Sequence, residues 1–266
     1  MSGPGRAPGL AYVDLHCHTR ASFDSLADPG AVVRAAATRG ITHLAITDHD
    51  RIDGALAARD AAPLGLTVLV GEEVKTTEGD LICVFLAEAI PPGLSPVEAI
   101  AAAREQGALV GIPHPFDSYR GSLARSASLE ALAPLVDWVE IHNARIMVGD
   151  GNERALEFAR ATGLPGVAVS DAHTVLEIGV ASTKMSGDPS TPEGLLAALR
   201  GAEVLPGRAT YFVRLVTPAA KVVQRLRGRG RERPVARPAR TETGAIVPGT
   251  SGAGDDRATG PDEAGR

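Results

Sequence analysis

Apolar and polar residues alternate from Tyr12 onward, the two-residue period of a β-strand. By that period Tyr12, Asp14, His16 and His18 share one face, and Val13, Leu15 and Cys17 the other. A polar loop, Arg20 to Ala27, leads to Asp28-Pro29, an N-cap with proline in the first turn, and to an alanine-rich helix that stops at Gly40. Ile41 to Ala45 begins a second strand, ending in Thr47-Asp48-His49-Asp50. A helix over Gly54 to Ala62 is followed by a third strand, Leu66 to Val70, ending in Gly71-Glu72-Glu73, and by a fourth, Asp80 to Leu86. Ser95-Pro96-x-Glu98 has capping-box spacing and opens a helix that ends at Gly107. Ala108 to Ile112 delivers Pro113-His114-Pro115. Ser128 to Leu135 reads as helix, and Val136 to Ile141 as a sixth strand before His142-Asn143-Ala144-Arg145. Asn152 to Thr162 is a helix closed by Gly163, and Gly166 to Val169 a seventh strand before Ser170-Asp171-Ala172-His173. Pro192 to Leu199 is the last clear helix, and Glu203 to Val213 a short strand and loop.

Strands alternating with helices imply an α/β fold with a mainly parallel sheet. About seven such units in roughly 220 residues fit a closed or nearly closed barrel, whose strand C-termini bring polar residues to one face. An open flavodoxin-like sheet would be shorter. His16, His18, His49, Glu73, His114, Asp171 and His173 all fall at strand ends. The predicted organisation is a flexible N-terminus over 1–10, a barrel domain over 11–227, and a tail over 228–266. In the tail a run of arginines broken by Pro and Gly gives way to Gly, Thr, Pro and acids with no apolar period, the pattern of a solvated, disordered segment.

Composition narrows the partners. Of 266 residues, 44% are apolar, which suits a globular core. A net charge of −5 and 3% aromatics lend no support to a nucleic-acid surface, although the arginine run keeps RNA as a second partner class. Two cysteines cannot form a disulfide framework, so a reducing cytoplasm is expected. Neither a signal-peptide apolar run nor a membrane span is expected.

His16-x-His18 and Asp171-x-His173 each place two potential ligands on one strand face. Mixed imidazole and carboxylate donors suit Zn²⁺, Mn²⁺ or Fe²⁺ better than Mg²⁺ or Ca²⁺, which prefer oxygen alone. The donors exceed what one four-coordinate ion needs, pointing to two or three ions that share carboxylates. Such a cluster activates water and clamps phosphoryl oxygens.

The signatures Asp14-Leu-His-Cys-His-Thr, Thr47-Asp-His-Asp, Gly71-Glu-Glu, Pro113-His-Pro, Glu140-Ile-His-Asn and Ser170-Asp-Ala-His resemble those of the PHP (polymerase and histidinol phosphatase) superfamily. They run in family order from about Tyr12 to Gly179. The resemblance implies a distorted (β/α)7 barrel, a trinuclear metal centre at the C-terminal ends of the strands, and phosphoester hydrolysis. It implies metal ligation by His16, His18, Asp24, His49, Glu73, His114, Asp171 and His173. Asp80 stands where many relatives carry a histidine and is expected to ligate through oxygen. Arg120 and Arg145 are family-like positions for phosphate contact, since guanidinium binds phosphate oxygens bidentately; Asn143 is a further substrate contact. His114 and Asp171 are the candidate catalytic proton carriers.

Several residues are set aside. Glu72 competes with Glu73, but the residue two after Gly71 is the position the resemblance implies and shares Gly71's strand face; His142 has the opposite parity to Asn143. His43 is expected to be a satisfied core histidine, and Trp138 packing. The expected activity is hydrolysis of a small phosphorylated substrate, a phosphomonoester with nucleotides among the candidates, by a metal-activated hydroxide. Relatives that act on nucleotides carry an insertion between the fourth strand and the Pro-His motif, where this chain has only Leu81 to Pro113. The alternatives are a metal-dependent hydrolase of a non-phosphate bond and a non-catalytic metal-binding module.

Overall fold

The computed structural model describes residues 9–117, 122–123, 129–210 and 216–231. Along them run β1 (Leu10–Asp14), α1 (Pro29–Thr38), β2 (His43–Ile46), α2 (Asp53–Asp60), β3 (Thr67–Lys75), β4 (Asp80–Val84), α3 (Pro96–Glu105) and β5 (Leu109–Ile112). The second half holds α4 (Leu129–Leu132), β6 (Trp138–Asn143), α5 (Gly151–Thr162), β7 (Gly166–Val169), β8 (Ser182–Ser186), α6 (Pro192–Leu199), β9 (Glu203–Leu205) and α7 (Val216–Leu226). The chain divides at Val235, and the second unit, Ala236–Arg266, lies outside the described residues. No described helix is long and apolar enough to cross a membrane.

The predicted caps form. Asp28 accepts the amide of Ala31 ahead of Pro29, and Ser95 and Glu98 make a reciprocal capping box. Gly163 ends α5 at φ 75°, a left-handed turn that a side chain would strain.

The sheet is a distorted, nearly closed barrel with strand order β7-β6-β5-β4-β3-β2-β1-β8-β9. It departs from seven parallel strands in two places. The connection Thr76–Gly79 is too short for a crossover, so β4 returns antiparallel to β3 and also pairs antiparallel with β5. That return carries Asp80, at the start of β4, to the same rim as the ends of the parallel strands. The chain after β7 has no crossover helix, and β8 runs antiparallel along β1, with β9 beside it. The expected mainly parallel sheet is therefore mixed.

Two apolar layers result. Ala45, Leu69, Ile82, Trp138, Val167 and Val169 fill the barrel interior, and Leu195, Ala198 and Leu199 of α6 join them. Gly111 faces the indole of Trp138: a β-carbon there would lie 2.1 Å from its Cε2. Val32, Ala36, Ala55, Ala99 and Phe158 of the helices cover the outside with Leu44, Ile46, Val70 and Val110.

The alternation expected through β1 breaks at its end. Val13 and Leu15 pack in the interior cluster, whereas Cys17 packs in the outer one. The strand stops at Asp14, whose Oδ1 accepts the amides of His16 (3.4 Å) and Ser170 (3.0 Å). Beyond it the chain pairs with the segment after β7: Asp171 N donates to His16 O at 2.9 Å and His18 N to Ala172 O at 2.8 Å. The barrel is thus stitched at its rim, where the histidines lie.

Candidate metal centre

Donors come from the ends of several strands: Glu73 from within β3, and His16, His18, His49, His114, Asp171 and His173 from the segments after β1, β2, β5 and β7. His16 Nε2 lies 2.9 Å from His18 Nε2, 3.3 Å from Glu73 Oε2 and 3.7 Å from Asp171 Oδ1. His18 Nε2 lies 3.4 Å from Glu73 Oε2 and 3.5 Å from Asp171 Oδ1. Ligands sharing one ion at about 2.0–2.2 Å stand roughly 3.0–3.5 Å apart. His16, His18 and Glu73 lie close to that spacing and form one candidate ligand group. A second group gathers Asp24, whose Oδ2 is 3.3 Å from His49 Nε2 and 3.2 Å from His173 Nε2. A third brings together His16, His114 and Asp171. Glu73 joins them: Oε2 faces His16, His18 and His49, and Oε1 is 3.3 Å from His114 Nε2.

Strand parity separates Glu73 from Glu72, whose Oε2 accepts the amide of Ile90 on the other side of the sheet. Non-glycine residues with positive φ cluster here: Asp50 at 58°, His114 at 27° and Asp171 at 50°. Each such conformation costs about 1–3 kcal/mol and persists only where its surroundings fix it.

Glu140 is the residue that sequence reasoning left out of the site. Its Oε1 is 2.7 Å from His16 Nδ1, and its Oε2 accepts from His114 N at 2.9 Å and from Asn143 Nδ2 at 2.9 Å. A register shift between Glu140 and His142 lets Glu140 and Asn143, three residues apart, both point inward. His142 turns away and bonds Gly207 O. The signal was present in Glu140-Ile-His-Asn, but a bulge is not readable from alternation.

The electrostatics suit a cation. Burial opposes charge on His16, yet the carboxylates of Asp171, Glu140 and Glu73 hold its pKa well above the ordinary value. His49 is raised to about 9: burial opposes this, but Glu73 and Asp24 outweigh it. His173 is pushed down to about 3 by burial and by Arg145. Buried Nδ1 atoms of His18 and His114 have no hydrogen-bond partner among the described residues. Imidazole and carboxylate donors converging at this spacing fit divalent metal ions.

The remaining expected site residues fall as follows. Asp80 lines the cleft, but its Oδ1 is engaged by Arg231 Nη2 (3.0 Å) and Lys75 Nζ (3.5 Å), and it belongs to no candidate ligand group among the described residues. Arg145 does not face the cleft: Nε lies 3.4 Å from Glu177 Oε1 and Nη2 donates to Thr217 Oγ1 at 2.6 Å. Its guanidinium is committed to the fold rather than to a phosphate. Asn143 Nδ2 donates to Glu140 and to Asp171 Oδ2 (3.0 Å), which makes it a support for ligands. Arg120 lies outside the described residues.

The PHP domain model matches residues 14–132, and the PHP-associated model matches 149–204. An uncharacterised protein of Methanocaldococcus jannaschii is 37% identical over 155 residues, 54% of this chain and 88% of that protein. A 5'-3' exoribonuclease of Haemophilus influenzae is 32% identical over 117 residues, covering 39% of this chain and 42% of its own. Among solved structures, a two-domain protein of Bacteroides vulgatus, described as containing a predicted PHP-like metal-dependent phosphoesterase, superposes with a TM-score of 0.63. It is 19% identical and covers 74% of this chain and 65% of its own. Motif order, ligand geometry and these matches agree: the chain belongs to the PHP family.

Proposed function

We propose that this protein hydrolyses a phosphate ester, a phosphomonoester in preference to a diester. Two or three manganese, zinc or iron ions would be held by His16, His18, Asp24, His49, Glu73, His114, Asp171 and His173. The observation that carries this reading is Glu73, whose two oxygens face separate donor groups as a bridging carboxylate does. Bound divalent ions supply Lewis-acid charge and lower the pKa of water. The chain's own residues orient and exchange protons. Glu140 holds the His16 ring so that Nε2 faces Glu73, and Asn143 steadies Glu140 and Asp171. His114 and Asp171 line the cleft, and in this reading they pass a proton to the leaving oxygen. Arg120 is retained as a phosphate contact.

The monoester preference follows from charge: a terminal phosphate offers three oxygens to cations, a diester two. The exoribonuclease relative acts on diesters, so the choice is open to a direct test. Steady-state rates on matched aryl phosphate mono- and diesters should favour the monoester, with Arg120→Ala slower by about 10²-fold or more, as for loss of a charge-stabilising donor. A faster diester would overturn the substrate class. An Arg120→Ala enzyme equal to wild type would remove that arginine from the site.

A further inference from the structure

The cleft above the candidate ligands has a volume of about 240 Å³. Its floor is acidic, with Asp24, Glu73, Asp80 and Asp171, while Lys221 and Arg231 stand in its wall beside Phe23. Both cations come from the last described segment, α7 and the residues after it.

That segment is anchored. Gln224 is fully buried in α7, and its Nε2 lies 2.7 Å from Arg20 O, 3.1 Å from Ser22 O and 2.8 Å from Ser25 O, on the loop that carries Asp24. Thr217 receives the Arg145 bond. Arg231 is held at its own end: Nε donates to Asp50 Oδ2 at 2.9 Å and Nη2 to Asp80 Oδ1 at 3.0 Å. Asp50 is in turn fixed by accepting the amide of Lys75 at 2.7 Å.

Two carboxylates thus fix one edge of the guanidinium, and Nη1 has no hydrogen bond among the described residues. Lys221 Nζ likewise has no hydrogen bond or ion pair among them, and it sits 5.4 Å from the Phe23 ring centroid, with Arg231 Cζ 5.6 Å from the same ring. An anchored guanidinium and a neighbouring ammonium, both with unused donors above an acidic floor, are arranged for an anion that bridges the two layers.

We propose that Val216–Arg231 forms the substrate-binding wall of the site, with Arg231 Nη1 and Lys221 Nζ holding non-bridging oxygens of the phosphoryl group. This rests on the phosphoester reading above. It also explains why Asp50 and Asp80 pair with an arginine at the rim: they aim the guanidinium.

The test is calorimetric titration of inorganic phosphate into metal-reconstituted full-length wild type, Arg231→Gln, Arg231→Lys and Lys221→Gln. Elemental analysis and KM and kcat on an aryl phosphate monoester accompany each. Arg231→Gln and Lys221→Gln should each weaken phosphate binding and raise KM by about 10- to 100-fold, the scale of a charged hydrogen bond, with metal content unchanged. Arg231→Lys should recover only part of the loss, since it keeps the charge and not the fork. Phosphate affinity and KM equal to wild type in both glutamine variants would overturn the proposal, as would loss of metal from Arg231→Gln with phosphate affinity per bound ion unchanged. If wild type turned over no phosphoester while phosphate binding still depended on both residues, the wall would stand and the assigned reaction would fall.

Discussion

Glu140 Oε1 and His16 Nδ1 lie 2.7 Å apart, both fully buried, and the contact decides which way the histidine can act. A carboxylate at Nδ1 leaves Nε2 to face Glu73 and His18. Outer partners of this kind raise ligand basicity and fix the ring. Glu140→Gln should therefore lower metal affinity by about 10- to 100-fold while far-ultraviolet circular dichroism stays native. Unchanged affinity in a competition titration with a chelating dye would mean that the contact is only packing.

Metal uptake should depend on pH. Burial opposes charge on both His49 and His16, but nearby carboxylates raise His49 to about 9 and hold His16 well above its ordinary value, so both carry protons near neutrality in the metal-free protein. A ligating imidazole must be neutral at the donor atom, so binding expels these protons. Apparent affinity should rise by about tenfold per pH unit for each proton displaced, from pH 6 up towards 9. Calorimetry in buffers of different ionisation enthalpy counts the protons. Affinity independent of pH over that range would show that the histidines are already neutral.

If Arg231 binds substrate, the functional chain extends into the arginine run, past the boundary at 227 expected from sequence. Removing 232–266 should leave metal content and KM unchanged, because that composition lacks the apolar residues needed to offset ordering entropy. Removing 228–266 also takes Arg231 and should raise KM as Arg231→Gln does. Equal KM in the two truncations would place the substrate elsewhere.

Much of this was legible because strand ends are punctuated by chemistry. His16-x-His18, Glu73, His114 and Asp171-x-His173 were read from position alone, and the structure brings them together. What escaped the sequence were features set by tertiary pairing. The connection after β3 turns β4 antiparallel, the β6 bulge points Glu140 inward, and the break at the end of β1 sends Cys17 to the outer layer while Val13 and Leu15 stay inside the barrel. Helix α7 had a periodic apolar pattern of its own, yet only its docking through Gln224 reveals why it matters. An arginine in a tail-like run looks like its neighbours; Arg231 differs only in where the fold delivers it.

The central claim is that His16, His18, Glu73 and their neighbours hold metal for phosphoester hydrolysis. The most direct measurement is phosphate release from an aryl phosphate monoester by wild type as purified, after chelation, and after re-addition of Mn²⁺, Zn²⁺ or Fe²⁺, with His16→Ala/His18→Ala in parallel. The account predicts turnover that chelation abolishes and one of these ions restores, with more than one equivalent bound, and neither turnover nor full metal content in the double variant. Turnover that survives complete removal of metal, or none with any ion on fully loaded protein, would contradict it.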